Sequence, residues 1–332
     1  MRVIVLGAGM QGTLLGVRLA AAGHTVVLVA RGRRAEQLRQ SGAIIEHVLS
    51  GRRQMIHLEI AETLAADARA DLCVVTVRRE QLEEVLPFLK AAVGLGRILF
   101  FVNHAGGSAW LFDALSRARI ILGFPGAAGA IEDGIDRYVE IREQPTVLES
   151  CAVDIGEMLR GAGLRVSLVR DMDAWLCRHA AFVTAVSGAL YEVGCDAGAL
   201  ASDRVRVREC ILGIREAWTV MDYRGVGPAP LALRAIFTWV PLPIAVRYWQ
   251  RLLGSARGEH YFARHARHAP IEMAALARDV RGMLRGESTP RLSELFAAID
   301  RATARGAAVA GPRVPPSPQV ARSENRASHR AE

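Results

Sequence analysis

The chain has 332 residues, of which 51% are hydrophobic and 23% charged, enough for two ordinary domains with real cores and too apolar for a disordered chain. Its formal net charge is +8, but Lys90 is the sole lysine and the arginines are spread along the chain without forming a stripe, which speaks against nucleic-acid binding. The five cysteines (Cys73, Cys151, Cys177, Cys195 and Cys210) are odd in number and show no CxxC spacing, so neither a disulfide framework nor a zinc site is expected.

The chain opens on an apolar run, "RVIVLG" (2–7), that is already structural and leaves no room for a signal peptide, so the expected compartment is the cytoplasm. The run leads into "GAGMQG". Gly7 allows a tight turn, Gly9 lets a pyrophosphate approach the backbone, and Gly12 lets the following helix (11–23) pack against the strand. Ala8, Met10 and Gln11 complete this phosphate cradle, where free N–H groups and the positive end of the helix dipole face the ligand.

The second strand, "TVVLVA" (25–30), is followed by Arg31, Arg33 and Arg34, with no acid before Glu36. A carboxylate here would accept from ribose hydroxyls, whereas a guanidinium can bind a 2′-phosphate bidentately. NADP is therefore the expected cofactor and Arg31 the first choice for the contact. At least one of Arg33 and Arg34 is expected to be simply solvated.

Further runs at 71–77, 97–103 and 118–123 alternate with helical stretches such as 80–93. Continuous apolar runs of this length suit strands buried on both faces, so the first domain (1–170) is expected to be an α/β Rossmann-type doubly wound parallel sheet. Two extended segments near 137–150, a helix at 153–163 and a last strand at 165–171 close it. A second, all-α domain (171–305) follows, with helical periods at 173–192, 203–223, 229–253, 258–285 and 291–304. The stretch "AIFTWVPLPIAV" (235–246) is too short to span a bilayer and carries two prolines, so no membrane association is expected. Residues 306–332, rich in Pro, Ser, Ala and Arg, are expected to be a disordered tail.

These motifs resemble the ketopantoate reductase (2-dehydropantoate 2-reductase) family over roughly residues 1 to 300. "GAGMQGTLLGVRLAAAGHTVVLVAR" is similar to that family's opening, and "VVTVRREQ" to its third-strand segment, which implies cofactor contacts at Arg78 and Gln81. "NHAGG" resembles its Asn-Gly-x-Gly turn, with Asn103 and Gly106 matching, which places Asn103 near nicotinamide and substrate. "APIEMAALARDVRGML" (269–284) resembles its late helix and puts the family's glutamate at Glu272. The resemblance implies a Rossmann domain plus a helical domain, with a small-molecule 2-keto acid reduced by NADPH between them. A homodimer is left open.

The likeness departs at the family's catalytic lysine, which falls on Cys177, and at two asparagines one and two turns later, which fall on Ala181 and Ala185. A neutral thiol is a weak donor. Arg178 is the candidate replacement as a cation, although one helical step turns it by about 100°. His179 can donate a proton near neutral pH, but it is expected to face elsewhere. Glu272 could orient a substrate hydroxyl. His265, His268 and Glu272 stand at i, i+3 and i+7, but hydride transfer needs no metal and none is expected.

Overall fold

A computed structural model describes residues 1–228 and 231–310. Its strands are β1 (Arg2–Leu6), β2 (Thr25–Val29), β3 (Ala43–His47), β4 (Arg52–Ile56), β5 (Glu59–Ala61), β6 (Ala70–Val75), β7 (Leu95–Phe100), β8 (Ile120–Phe124), β9 (Ala127–Glu132), β10 (Ile135–Glu140), β11 (Thr146–Glu149) and β12 (Val166–Val169). The helices of the first domain are α1 (Met10–Ala21), α2 (Gly32–Ser41), α3 (Leu82–Ala91), α4 (Ala109–Ala114) and α5 (Val153–Gly161).

Eight strands form one sheet in the order β12-β11-β8-β7-β6-β1-β2-β5. From β8 to β5 every pairing is parallel, whereas β11 runs antiparallel to β8. The expected doubly wound sheet is present, and its strand order reverses at β1 and β6. Val3, Val5, Leu72, Val74 and Leu99 face one helical layer; Ile4, Leu6, Cys73, Val75, Ile98 and Phe100 face the other. Burial on both faces is why these strands are nearly continuous apolar runs.

A smaller sheet, β4-β3-β10-β9, packs over α1. Its strands β3, β4 and β9 are absent from the sequence reading. The two extended segments expected near 137–150 belong to different sheets, β10 to the small one and β11 to the large one.

The second domain comprises α6 (Met172–Glu192), α7 (Ala197–Ser202), α8 (Arg204–Tyr223), α9 (Leu231–Arg234), α10 (Leu242–Leu253), α11 (Ala256–Gly258), α12 (Arg264–His268), α13 (Pro270–Met283) and α14 (Pro290–Ala310). Asp171 caps α6 by accepting from the Ala174 N–H at 2.8 Å. The helix is buried along nearly its whole length, as its all-round apolar sequence requires. It packs closely on α14: a Cβ on Gly188 would lie 2.4 Å from the Leu295 carbonyl oxygen.

The two long helices expected at 229–253 and 258–285 are each broken. A π-helical turn (Ala235–Trp239) ends at Val240, before Pro241, and a second (Glu259–Ala263) leads into α12, which stops before Pro270. The last helix runs on to Ala310, so residues 306–310, expected to be tail, are helical; the rest of that tail lies outside the described residues. Among the described residues no helix is long and apolar enough to cross a membrane.

Candidate functional site

Strand register brings most of the sequence-predicted residues to one edge. Leu6 lies beside Val29 and Val75, and Val75 beside Phe100. The residues just beyond that row are Gly7, Arg31, Arg78 and Asn103, so four separate motifs meet at the carboxyl edge of a parallel sheet, where such sheets bind ligands.

The glycines hold this edge in distinct ways. Gly7 adopts φ +116, a left-handed conformation that side chains rarely tolerate, and the Thr76 hydroxyl donates to its carbonyl at 2.8 Å. A Cβ on Gly12 would come within 1.9 Å of the Gly7 carbonyl oxygen, so α1 can approach β1 only without one. A Cβ on Gly9 would meet nothing within 4 Å. That opening lies over the α1 N-terminus, whose Gly9 cap provides no side-chain bond and whose first N–H groups have no helical partner. The residues present thus fit a dinucleotide pyrophosphate. Gln11 is not free for it, because its carboxamide donates to the Ala127 carbonyl at 2.5 Å.

Beside Gln11 is a crevice of about 460 Å³, counted with the solvent it opens to. Phe101, Pro125, Gly126, Ala127 and Thr146 line it at the ends of β7, β8 and β11.

Arg31 is exposed at the end of β2, and its guanidinium makes no hydrogen bond or ion pair among the described residues. Arg33 is exposed too. Arg34 is neither solvated nor free: it donates to the Ala8 carbonyl (3.1 Å), the Thr13 hydroxyl (2.9 Å) and the Asp136 carboxylate (2.5 Å). It therefore bolts the glycine turn to the small sheet. Burial pushes Asp136 up to about 7, outweighing the pull of Arg34. Arg78 is exposed, and its backbone N–H donates to the Gln81 side chain at 3.2 Å.

The expected catalytic set is not assembled. Cys177 is 7% exposed, and its thiol donates to the Ala105 carbonyl at 3.0 Å, beneath the 103–108 turn. Burial, with Asp173 and Asp171 adding, pushes the thiol up to about 12, so it stays neutral. Ala181 and Ala185 are fully buried in the helical core and do not form a substrate-facing stripe.

Arg178 is corrected outright as a catalytic candidate. It is 1% exposed and spends its donors on Gly227 O (2.6 Å), Val226 O (2.8 Å), Trp218 O (3.4 Å) and Asp222 (2.5 Å). It is a structural cation inside the bundle. His179 is stacked on Trp175 at 4.8 Å and tilted on Phe124 at 4.4 Å, and burial lowers it to about 3. Glu272 is half-buried on α13, and its carboxylate makes no hydrogen bond or ion pair among the described residues. His268 is bound to the Arg264 carbonyl at 2.8 Å, and no group of three or more potential ligands is placed to hold a metal among the described residues.

Sequence reasoning missed one cluster at this edge. His104 is buried, and its Nε2 lies 3.3 Å from the Ser108 hydroxyl, which donates to Asp173 Oδ1 at 2.5 Å. The Nδ1 of His104 and the Oδ1 of neighbouring Asn103 are both buried without a hydrogen-bond partner. Nearby, Arg79 reaches Asp279 of α13 at 3.4 Å and lies over the Trp110 ring at 5.4 Å, joining the two domains.

Residues 3–138 match the family model described as Ketopantoate reductase PanE/ApbA. The chain is 29% identical over 179 residues to a 2-dehydropantoate 2-reductase of Archaeoglobus fulgidus, covering 52% of this chain and 57% of that one. It is 25% identical over 205 residues to one of Pyrococcus horikoshii, covering 58% and 65%. The chain thus matches less than two-thirds of the length of these relatives. In fold it is similar to D-mandelate dehydrogenase solved with NADH and anilino(oxo)acetate, with a TM-score of 0.71 at 16% identity over 91% of this chain and 98% of that one. The match over residues 3–138 makes the ketopantoate reductase family the one that this protein resembles in sequence, and the solved structure shows that its fold is shared over most of the chain.

Proposed function

We propose that this chain is an NADP-linked reductase of a small 2-keto acid, of the 2-dehydropantoate class, working in the cytoplasm in the making of pantoate. The observation that carries the reading is the pairing of an open Gly9 cradle with the exposed, unpaired Arg31 in the next register position. Gly7, Ala8, Gly9, Met10, Gln11 and Gly12 would hold the pyrophosphate through backbone groups, Arg31 the 2′-phosphate, and Arg78, Gln81 and Asn103 the rest of the dinucleotide. When bound, that group supplies a hydride. The chain's own part is to bind, to exclude water and to meet the charge that grows on the carbonyl oxygen. The names of the relatives support the substrate class. NADPH should bind at least tenfold tighter than NADH in fluorescence titrations, Arg31→Ala should erase most of that gap, and absorbance at 340 nm should fall with one of a panel of 2-keto acids. Equal affinities would refute the cofactor reading, and silence across the panel the reductase reading.

A second reading, a nucleotide-binding protein with lost or altered catalysis, is favoured by one observation: Cys177 is neutral and Arg178 is consumed inside the bundle. Under it NADPH binds and no keto acid is turned over.

A further inference from the structure

We propose that His104 is the proton-exchanging residue of this chain, passing a proton between its Nδ1 and the substrate's carbonyl or hydroxyl oxygen, with Ser108 and Asp173 as the residues that position its ring. The inference rests on the reductase reading above.

The hydrogen-bond chain fixes the tautomer. Asp173 Oδ1 accepts the single Ser108 hydroxyl proton at 2.5 Å, because a carboxylate can only accept. At the 3.3 Å contact with His104 the Ser108 oxygen must then accept, so Nε2 carries the hydrogen. Nδ1 is left as a bare lone pair with no partner. Leaving a buried acceptor unmade costs about 1–3 kcal/mol, and a ligand hydroxyl would satisfy it.

Position supports the role. His104 follows Asn103, itself with a buried unpartnered Oδ1, on the turn leaving β7 at the ligand-binding edge. Cys177 is bound to Ala105 on the same turn, so His104 stands next to the place where a cation is missing.

The proton transfer balances simply. In reduction, as the carbonyl oxygen takes up the electron pair of its π bond, the Nδ1–H bond of the imidazolium breaks and an O–H bond forms. The neutral ring then regains a proton from solvent. In oxidation the neutral Nδ1 takes the hydroxyl proton. The groups facing the ring are Asp173 of α6 and Asp279 of α13, which favour its charged form, and Arg79, which opposes it. Burial dominates and holds the ring down to about 4. Reduction should therefore slow tenfold per pH unit from about pH 5 to 8, and oxidation should be flat there.

The test uses the full-length protein with ¹⁵N-labelled histidine. The His104 ring should show the Nε2–H tautomer. Its Nδ1 resonance should move when a non-reducible 2-keto acid analogue such as oxamate is added with oxidised NADP, and the movement should be lost in His104→Gln. In kinetics, His104→Gln should lower turnover at least a hundredfold with NADPH affinity kept within twofold. Ser108→Ala should fold normally, shift the midpoint of the pH profile and alter kcat more than KM. Native turnover with an unchanged rate and pH profile in His104→Gln would overturn the proposal and leave the reductase reading standing. Absence of native turnover would sink the reductase reading and this proposal with it, and a ring resonance indifferent to the analogue overturns the proposal alone.

Discussion

Gly9→Ala and Gly12→Ala separate ligand binding from folding at one turn. Gly9 has φ −71, which alanine adopts freely, and its Cβ would meet nothing within 4 Å. Its effect on unfolding free energy should stay within about 0.5 kcal/mol. The same methyl would occupy the space through which a phosphate reaches the helix N–H groups. Those bonds need about 2.7–3.2 Å between heavy atoms, and losing one to a charged partner costs about 1.5–3 kcal/mol. NADPH affinity should fall roughly ten- to hundredfold. Gly12→Ala behaves differently. Its Cβ would stand 1.9 Å from the Gly7 carbonyl oxygen and 2.6 Å from the Thr76 hydroxyl, so α1 must retreat by more than about 1 Å. Overpacking of this kind costs about 1–3 kcal/mol, and both stability and binding should suffer. Urea unfolding of each apo variant, beside a fluorescence titration with NADPH, reads both effects. A Gly9→Ala protein that binds NADPH like the wild type would refute the placement of the pyrophosphate.

Two further outcomes concern pH. Asp136 sits at about 7 when folded against 3.8 unfolded, so its contribution to stability is present at low pH and lost as pH rises toward 7; Asp136→Asn should gain about 2–3 kcal/mol on the wild type between pH 5 and 8, measured by urea unfolding. His104 and His179 are lowered to about 4 and about 3 from 6.5, so their contribution is present above pH 6.5 and lost as pH falls toward 4. Stability should therefore drop by about 4–5 kcal/mol between pH 6.5 and 4.5, roughly half from each ring, and His179→Phe should halve that slope.

The large sheet was legible because its strands are buried on both faces and carry that fact as uninterrupted Val, Ile and Leu. The small sheet was not. "RRQMI" in β4 is exposed at Arg52, Arg53 and Met55, and β9 is a run of small residues, so neither shows the apolar run of a two-faced strand. The breaks in the second domain were half legible. Pro241 and Pro270 announce them, since the residue before a proline leaves the helical region. The π turns at 235–239 and 259–263 leave no mark in a 3.6-residue period.

At the site, the readable residues were those whose role is local. Gly7 and Gly12 are dictated by the backbone at their own turn. Arg31, Arg34 and Arg178 could not be ranked from the sequence, because what separates them is a partner far along the chain. Arg34 finds Asp136 102 residues away, and Arg178 finds Asp222 44 residues away, while Arg31 finds no one. The relay was hidden in the same way, with Ser108 and Asp173 separated by 65 residues. Its one visible signal was a histidine where the resembling turn carries glycine. Cys177 ties the two observations together. Asp171 and Asp173 still lie close enough to raise its thiol, so the negative surroundings that would suit an ammonium persist around a neutral group. One of those acids, Asp173, is instead engaged by Ser108 and, through it, His104. A site that had simply decayed would have no reason to keep a half-buried carboxylate bonded to a buried hydroxyl and imidazole across two domains, because each buried group costs desolvation when its partners are lost.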